Sequence, residues 1–324
     1  MKDKLSYLSS NQETAREEFR RDVLKGLTSP DKSLSSKYFY DEEGSRLFEE
    51  ICDLDEYYLT RTELSLMTRY AKEMADKVGP NATVIELGSG SSKKSRLLLS
   101  ALQTPKYYVP IDVSREFLLL SAEEIAESYP NLSVLPVCGD YTANVNLPTP
   151  VAKSLGRKVL YFPGSTIGNL IPLDAQRLLQ RIRHLVGLKG AALIGVDLKK
   201  DLSVLLPAYN DRLGVTAQFN KNLLVRMNRE LGATFSIHQF DHSAIYSEEL
   251  GRIEMHLVSR IPQTVFIGEV AVTFNAGETI HTENSYKYSP SDFEKIGAAA
   301  GFSVSKVWKD SGERFGVFLL ETTN

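Results

Sequence analysis

A short glycine-containing turn is the first place where residue types and spacing suggest chemistry. Residues 86–93 read ELGSGSSK and directly follow an apolar, β-rich stretch. Glycine lets the backbone turn sharply and approach a ligand closely, at the positive end of the helix that follows. A dinucleotide fingerprint needs a third glycine about three residues after the second. That position is Lys93, which argues against a nicotinamide or flavin pyrophosphate.

Two acidic positions farther along the chain sharpen this expectation. Asp112 ends the second predicted strand, at a suitable distance to bind ribose hydroxyls, and Asp140-Tyr141 ends the third. There, a carboxylate can accept from an adenine amino group while the ring packs on the base. Each acidic residue alone is commonly a helix cap or a turn residue. Together with Gly88 they favour an adenosyl cofactor without pyrophosphate, of which S-adenosylmethionine is the commonest.

Lys94, at the start of the next predicted helix, is a candidate for neutralising the methionyl carboxylate of such a cofactor. A lysine at this position on a helix can equally well face solvent.

The composition favours a globular enzyme with a small-molecule substrate. The 324 residues are 42% hydrophobic and 24% charged, with a net charge of −3. A nucleic-acid partner usually needs a basic stripe, and the sequence has none. The two cysteines, Cys52 and Cys138, are too few for a disulfide framework and favour a reducing cytoplasm. Met1–Lys4 does not resemble the start of a signal peptide, and no apolar run approaches a membrane span, so no membrane partner is expected.

The five histidines do not form a convincing metal-ligand set. His238 and His242 lie four residues apart, but in a predicted strand without matched cysteines or carboxylates. His184, His256 and His281 are interpreted as structural, so no metal is expected.

The predicted elements divide the chain into two kinds of structure. Strands over 83–87, 107–112, 133–137, 158–162 and 191–197 alternate with helices over 93–102, 114–128 and 173–186. This alternation predicts a parallel, doubly wound sheet whose strand carboxyl ends share one ligand-binding edge.

After Asp197 the pattern changes. Two helices are expected at 201–212 and 217–231, and then consecutive strands at 235–246, 252–260 and 265–274, which imply an antiparallel sheet. A last helix at 291–300 and strands at 303–308 and 315–321 are expected to complete the first sheet. The predicted division is therefore 1–61 and 198–286 for a second α+β domain, and 62–197 with 287–324 for the α/β domain.

Six segments make the chain resemble a known family, the histidine-specific Nα-methyltransferases of ergothioneine biosynthesis. These segments are Lys37–Ser45, Glu56–Glu63, Gly164–Asn169, Ala208–Asp211, Gly214–Asn220 and Thr282–Lys287. The resemblance implies a Rossmann-like methyltransferase domain and a second, substrate-binding α+β domain built from the N-terminus and an insert. It also implies three successive methyl transfers from S-adenosylmethionine to the α-amine of L-histidine, through mono- and dimethyl intermediates, giving hercynine.

The resemblance assigns roles to particular residues. Those expected to face the cofactor are Tyr40, Gly88, Lys94, Asp112, Asp140, Tyr141 and Gly164. Those expected to bind the substrate are Tyr57, Asn169, Tyr209, Phe219, Met255, Glu283 and Ser285. Tyr40 and Asn169 are also the candidates for a catalytic role.

Side-chain chemistry fits these roles. Glu283 and Ser285 lie two apart, so on a strand both face one imidazole, where a carboxylate accepts from a ring N–H. Asn169 and Tyr209 suit the substrate carboxylate. Aromatic faces from Tyr40 and other rings stabilise the trimethylammonium product by about 0.5–2 kcal/mol.

Three alternatives remain open at this point. They are an N-methyltransferase for another amino acid or a tryptophan-derived amine, a cofactor-binding regulator without activity, and a nicotinamide oxidoreductase. A monomer acting in the cytoplasm is expected.

Overall fold

The computed structural model describes residues 12–90, 92–142 and 145–323, which form two compact units. The first contains 59–199 and 287–323, and the second contains 12–58 and 200–286. The sequence predicts boundaries after 61, 197 and 286, whereas the chain changes unit after 58, 199 and 286. The expectation about a signal peptide at Met1–Lys4 and the position of Ser91 lie outside the described residues. Within those residues, no helix has both the length and the apolar character needed to cross a membrane.

The first unit is built on one eight-stranded sheet. Its strands, numbered along the whole chain, are β1 Thr83–Leu87, β2 Tyr107–Asp112, β3 Ser133–Val134, β4 Val137–Cys138, β5 Lys158–Phe162, β6 Ala191–Asp197, β12 Phe302–Lys309 and β13 Phe315–Thr322. Their order is β12-β13-β6-β5-β1-β2-β3, with β4 also paired to β2. The helices of this unit are α3 Tyr58–Val78, α4 Lys93–Ala101, α5 Arg115–Ser128, α6 Thr149–Ala152, α7 Pro172–Val186 and α10 Pro290–Ala299. The predicted α/β fold with a Rossmann-like sheet is confirmed.

The strand order locates the ligand-binding edge of the sheet. From β1 the chain moves to β2 and β3 on one side, and later to β5 and β6 on the other. Parallel sheets bind ligands outside the strand carboxyl ends at such a reversal. The turns after β1 and β5, which carry Gly88 and Gly164, lie on the two sides of this point.

One predicted strand of this sheet is interrupted. The sequence predicts a strand over 133–137, but β3 and β4 pair with β2 separately, at Tyr107–Tyr108 and at Ile111–Asp112. Pro136 lies between them and has no N–H to donate to a ladder. The Asp140-Tyr141 turn therefore follows the short strand β4.

The second unit combines helices with an antiparallel sheet, as the sequence predicts. Its elements are α1 Gln12–Leu27, α2 Glu42–Asp53, α8 Leu202–Leu205, α9 Val215–Leu231, β7 Phe240–Ser247, β8 Arg252–Ser259, β9 Gln263–Ile267, β10 Val270–Phe274 and β11 Thr279–Tyr286. The sheet has the order β11-β8-β7, and β9 and β10 form a separate hairpin.

Three local predictions for this unit are wrong. The helix expected over 201–212 is only α8 and a 3-10 helix over Pro207–Tyr209, because Pro207 cannot donate the N–H that a continuing helix requires. The strand expected over 265–274 reverses at Gly268, whose φ is +59°, to form the β9–β10 hairpin. The strand expected from 235 begins at Phe240, after a 3-10 helix that contains His238.

The register of β11 on β8 separates two faces of the three-stranded sheet. Met255 pairs with Glu283 and Ile253 with Ser285, after a bulge between His281 and Glu283. Because directly opposed residues share a face and neighbours alternate, these four side chains lie on one face, here called the inner face. The pairs Glu254–Asn284 and His256–His281 lie on the other, the outer face.

Candidate active site

The glycine-containing turn of the first unit is shaped by Asp112. Gly88 and Gly90 have φ of +65° and +47°, values that favour glycine. Asp112 accepts from the Gly90 N–H at 3.1 Å and from the Ser114 N–H at 2.9 Å, so its carboxylate joins the turns after β1 and β2. Burial raises the pKa of Asp112 against these hydrogen bonds. A Cβ added at Gly90 meets no atom within 4 Å, so the backbone there borders open space.

The turn after β4 lies next to the glycine-containing turn after β1. A Cβ built on Gly88 comes within 3.9 Å of Tyr141 Cε1, and the Tyr141 ring packs edge-on to Phe162 with centroids 5.4 Å apart. Asp140 Oδ1 accepts from the Thr142 N–H at 2.7 Å, which fixes this turn. The structure therefore brings Gly88, Asp112 and Tyr141 together at the carboxyl edge of the sheet.

Lys94 and Gly164 both contact Glu63, a residue to which the sequence analysis assigned no role. The fully buried Glu63 of α3 pairs with Lys94 Nζ at 2.6 Å and accepts from the Gly164 N–H at 2.9 Å. Gly164 has a φ of +77°. Glu63 lies in Glu56–Glu63, one of the segments that resemble the family. Only the fold shows that its carboxylate contacts both Lys94 and Gly164.

Glu86, near the end of β1, is a second buried carboxylate to which the sequence analysis assigned no role. It accepts from Ser95 Oγ at 2.5 Å and from the Tyr108 hydroxyl. Burial raises its pKa from 4.5 to about 8. Glu86 therefore holds a proton near neutral pH.

Most of the predicted substrate residues assemble in the second unit. The Tyr209 hydroxyl lies 2.7 Å from Ser285 Oγ, and the Tyr57 and Tyr209 rings pack edge-on, 6.4 Å apart. The pKa of Tyr57 lies well above its ordinary value, mainly because of burial and also because of nearby groups that include Tyr209, Tyr40 and Glu283. Tyr57, Tyr209, Glu283 and Ser285 thus form one cluster of hydroxyls and a carboxylate on the inner face.

Aromatic rings border this cluster. Tyr40 packs edge-on to Phe48 and Phe219, at centroid distances of 5.6 Å and 5.8 Å, and Phe48 lies 6.2 Å from Tyr57. Phe48 was not predicted, because a phenylalanine on an amphipathic helix carries no chemical signal of its own. Aromatic faces of this kind attract cationic groups.

Two predicted residues lie in a different unit from the rest of their set. Tyr40 belongs to the second unit, whereas the other cofactor candidates belong to the first. Asn169 ends a 3-10 helix, Thr166–Asn169, in the first unit, whereas the other substrate candidates belong to the second. Their roles toward cofactor and substrate stay predictions.

The outer face carries a polar group of Glu254, His256 and His281, whose potential ligand atoms lie within 4.8 Å of one another. Arg252 donates to Glu254 Oε1 at 2.7 Å, and His256 Nε2 lies 3.0 Å from Glu254 Oε2. His281 Nε2 lies 3.0 Å from the Glu283 carbonyl oxygen. These contacts form a polar network around the Arg252–Glu254 ion pair, on the face opposite Met255 and Ser285. The expectation of no metal stays a prediction.

The fold and the first-unit site together define the class of protein. A doubly wound sheet with a Gly-x-Gly turn, no third glycine, and acidic groups at the next two turns is the arrangement of an S-adenosylmethionine-dependent methyltransferase. Residues 19–322 match the family described as histidine-specific methyltransferase, SAM-dependent. The chain belongs to this family.

The chain is also similar in sequence to several named proteins. The chain is 38% identical to histidine N-alpha-methyltransferase of Mycolicibacterium smegmatis over 319 residues, 97% of each chain. It is 39% identical to the protein of the same name from Mycobacterium tuberculosis over 305 residues, 93% of this chain and 94% of the other. It is 33% identical to ergothioneine biosynthesis protein 1 of Neurospora crassa over 300 residues, which are 89% of this chain but only 33% of that longer protein.

Proposed function

We propose that this protein transfers methyl groups from S-adenosylmethionine to the α-amino nitrogen of L-histidine, three times in succession. The product would be hercynine, and the reaction the first step of ergothioneine biosynthesis. Family membership and the names of the relatives support the histidine part. The observation that carries the proposal is the inner-face cluster, in which Glu283 and Ser285 share a face beside Tyr57 and Tyr209.

The first unit fits the methyl donor. The open backbone at Gly90 and the Asp112 carboxylate suit the ribose, while Asp140 and Tyr141 suit the adenine, and the Lys94 ammonium suits the methionyl carboxylate. When bound, the donor would supply a methyl group on a positively charged sulfonium: the amine would bond to the methyl carbon in line as the carbon–sulfur bond breaks and neutral S-adenosylhomocysteine leaves. Gly164 completes this set because Glu63 fixes its backbone next to Lys94.

The second unit fits the imidazole. A carboxylate at Glu283 accepts a hydrogen bond from one ring N–H, and the Ser285 hydroxyl forms a hydrogen bond with the other ring nitrogen. An aliphatic side chain offers these groups no hydrogen bond, and an indole offers one N–H donor but no acceptor. Each hydrogen bond that imidazole makes and the other side chain cannot make costs about 1–3 kcal/mol. Met255 lies opposite Glu283 and supplies an apolar surface.

The amine must be neutral to react, so each transfer follows the loss of a proton. Tyr57 stays protonated at neutral pH because its pKa lies well above 10, so it acts as a hydrogen-bonding hydroxyl. We assign Tyr40 to orienting the amine by its hydroxyl and, with Phe219, to stabilising the methylated cation. Tyr209 in the second unit and Asn169 in the first are each suited to donate a hydrogen bond to a carboxylate. Holding two reactants in line contributes about 7–11 kcal/mol to lowering a barrier.

The alternative is a methyltransferase for another amino acid or a tryptophan-derived amine. A competition assay separates the two: the protein is incubated with S-adenosylmethionine and equal amounts of histidine and tryptophan, and products are followed by mass spectrometry. The proposal predicts mono-, di- and trimethylhistidine with little methylated tryptophan. Methylated tryptophan without methylated histidine would refute it.

We further propose that the protein acts as a monomer in a reducing cytoplasm. Among the described residues, Cys52 and Cys138 are not joined by a disulfide, which is in keeping with the second point. Light scattering coupled to gel filtration tests the first, and a mass twice that of the 36.2 kDa chain would contradict it.

A further inference from the structure

Two polar residues of the second unit, one buried and one half-buried, have no role in the proposed reaction. Asn220 ends the segment Gly214–Asn220 and lies on α9, and His242 lies on β7. Asn220 is fully buried, and its Nδ2 lies 2.9 Å from His242 Nδ1. Burying polar side chains requires hydrogen bonds in compensation, so a specific arrangement is expected here.

The surroundings of Asn220 determine how its amide is oriented. Its Nδ2 donates to the His256 carbonyl oxygen at 3.1 Å. A carbonyl oxygen only accepts, so the amide nitrogen and not the oxygen must face it. The second hydrogen of the same nitrogen then points to His242 Nδ1, which must accept.

The tautomer of His242 follows from this orientation. With Nδ1 accepting, the ring proton is on Nε2, which donates to the Tyr209 carbonyl oxygen at 2.8 Å. A protonated ring would place an N–H on Nδ1 against the Asn220 N–H. Burial lowers the pKa of His242, in agreement with a neutral ring.

His242 therefore attaches the Tyr209 segment to the sheet. Tyr209 ends the 3-10 helix that begins at Pro207, and its hydroxyl contacts Ser285 on β11. Asp211, two residues later, accepts from the Val215 and Thr216 N–H groups at the start of α9. The backbone of Tyr209 is thus fixed from β7 and the following turn from α9.

We propose that His242 is a positioning residue for histidine binding: its neutral Nε2–H, oriented by Asn220, fixes Tyr209 so that the Tyr209 hydroxyl lies beside Ser285. This inference rests on the proposed function, because it assumes that Tyr209 and Ser285 bind the substrate. His242 and Asn220 act through Tyr209 and do not contact the substrate themselves.

A double-mutant cycle between His242→Leu and Tyr209→Phe tests the proposal. Initial rates give kcat and the KM for histidine. Thermal unfolding and S-adenosylhomocysteine binding by calorimetry report on folding and on the first unit. We expect His242→Leu to raise the KM for histidine about three- to tenfold, the effect of one neutral hydrogen bond, with kcat and S-adenosylhomocysteine affinity near wild type. In the Tyr209→Phe background the same substitution should have little further effect on KM.

Two conservative variants separate positioning from packing. The amide of Gln reaches the position of a histidine Nε2, so His242→Gln should retain the donor to Tyr209 and most of the affinity. The shorter amide of His242→Asn mimics only Nδ1 and should behave like His242→Leu.

Three results would overturn the proposal. They are independent, multiplicative effects in the cycle, a loss of S-adenosylhomocysteine binding that parallels the rise in KM, and a Tyr209→Phe variant with unchanged KM. Methylated histidine from the wild-type enzyme in the same assay shows that such a failure belongs to His242 and not to the proposed function.

Discussion

At the scale of single residues, alternation along β11 distinguishes side chains that are adjacent in sequence. Glu283 and Ser285 share the inner face with Met255, whereas Asn284 lies on the outer face opposite Glu254. The spacing of two residues predicts this shared face without the structure. The bulge before Glu283 shifts the register and cannot be inferred from spacing, because it depends on pairing with β8.

We expect Glu283→Ala to raise the KM for histidine about tenfold or more, because an imidazole N–H loses its charged acceptor. Discrimination against other amino acids should fall, while S-adenosylhomocysteine affinity stays unchanged. Steady-state rates with several amino acids measure this. Asn284→Ala is the matched control on the outer face, and an equal effect of both substitutions would exclude an imidazole contact at Glu283.

Asn169→Ala should weaken the binding of every accepted α-amino acid by a similar factor, about tenfold or more for one hydrogen bond to a charged group. The reason is that the Asn169 amide would donate to the substrate carboxylate, which all these substrates share. KM values for histidine and for a poorer substrate provide the comparison. A loss confined to histidine would contradict the carboxylate role.

Two of the residues that the sequence analysis missed, Glu63 and His242, share one property: their roles are defined by contacts with residues far along the chain. Glu63 is assigned by its contacts with Lys94 and Gly164, and His242 by its contact with the Tyr209 carbonyl. A buried glutamate or histidine has no local pattern that distinguishes it from an exposed one. Gly88 and Asp112, in contrast, are predictable because each follows a recognisable strand.

At the scale of elements, the packing of α3 on β6 depends on one glycine. A Cβ at Gly195 would lie 2.3 Å from Glu63 Oε1 and 3.0 Å from the Phe315 ring. Glycine at this position therefore leaves room for the carboxylate that holds Lys94 and Gly164. The close approach was not predictable, because the strand 191–197 reads only as a continuous apolar run.

Gly195→Ala should displace the Glu63 carboxylate and destabilise the protein by about 1–3 kcal/mol, the usual result of overpacking. S-adenosylhomocysteine affinity should fall with it, because Lys94 loses its partner. Urea unfolding and calorimetry measure the two effects.

Removing the obstructing side chain supplies the control. In a Glu63→Ala background, Gly195→Ala should destabilise the protein much less than in the wild type. An equal cost in both backgrounds would show that Glu63 is not the group that requires glycine at 195.

Strands marked by continuous apolar runs were predictable, and elements set by single residues were not. The strands 83–87, 107–112 and 191–197 have the predicted bounds. The helix expected over 201–212 ends at Leu205, before Pro207, and the strand expected over 265–274 turns at Gly268. In both cases one backbone effect outweighs the propensity of the surrounding residues.

At the scale of the whole molecule, the buried Glu86 makes stability depend on pH. Its pKa is about 8 in the folded protein and 4.5 in the ordinary case, so between these values the folded state binds a proton that the unfolded state lacks. The stabilisation of the folded state by this bound proton is fully present below the pKa of Glu86 in the unfolded chain. It is lost as the pH rises through the pKa of Glu86 in the folded protein.

We therefore expect the free energy of unfolding to fall between about pH 5.5 and about pH 7.5 relative to a Glu86→Gln variant, by up to about 1.4 kcal/mol per pH unit. The amide of Gln mimics the protonated acid and does not titrate. Urea unfolding of both proteins at the two pH values gives the comparison. A constant difference between them would contradict a raised pKa at Glu86.

The division of the molecule into an α/β unit and an α+β unit could be predicted from the change in strand rhythm after Asp197. The methyltransferase class could also be predicted from the sequence, because Gly88, Asp112 and Asp140 lie at three successive strand ends. Histidine as the substrate could not be derived from these strand ends, because they concern only the methyl donor. It depends on the family and on the inner-face cluster around Glu283.

The most direct test of the account is to locate the methyl groups on the product by tandem mass spectrometry, after incubating the protein with histidine and S-adenosylmethionine. The account predicts mono-, di- and trimethyl species that all carry their methyl groups on the α-nitrogen, with an unmodified imidazole. Methyl groups on the imidazole ring, or no methylated histidine from a protein that binds S-adenosylhomocysteine, would contradict it.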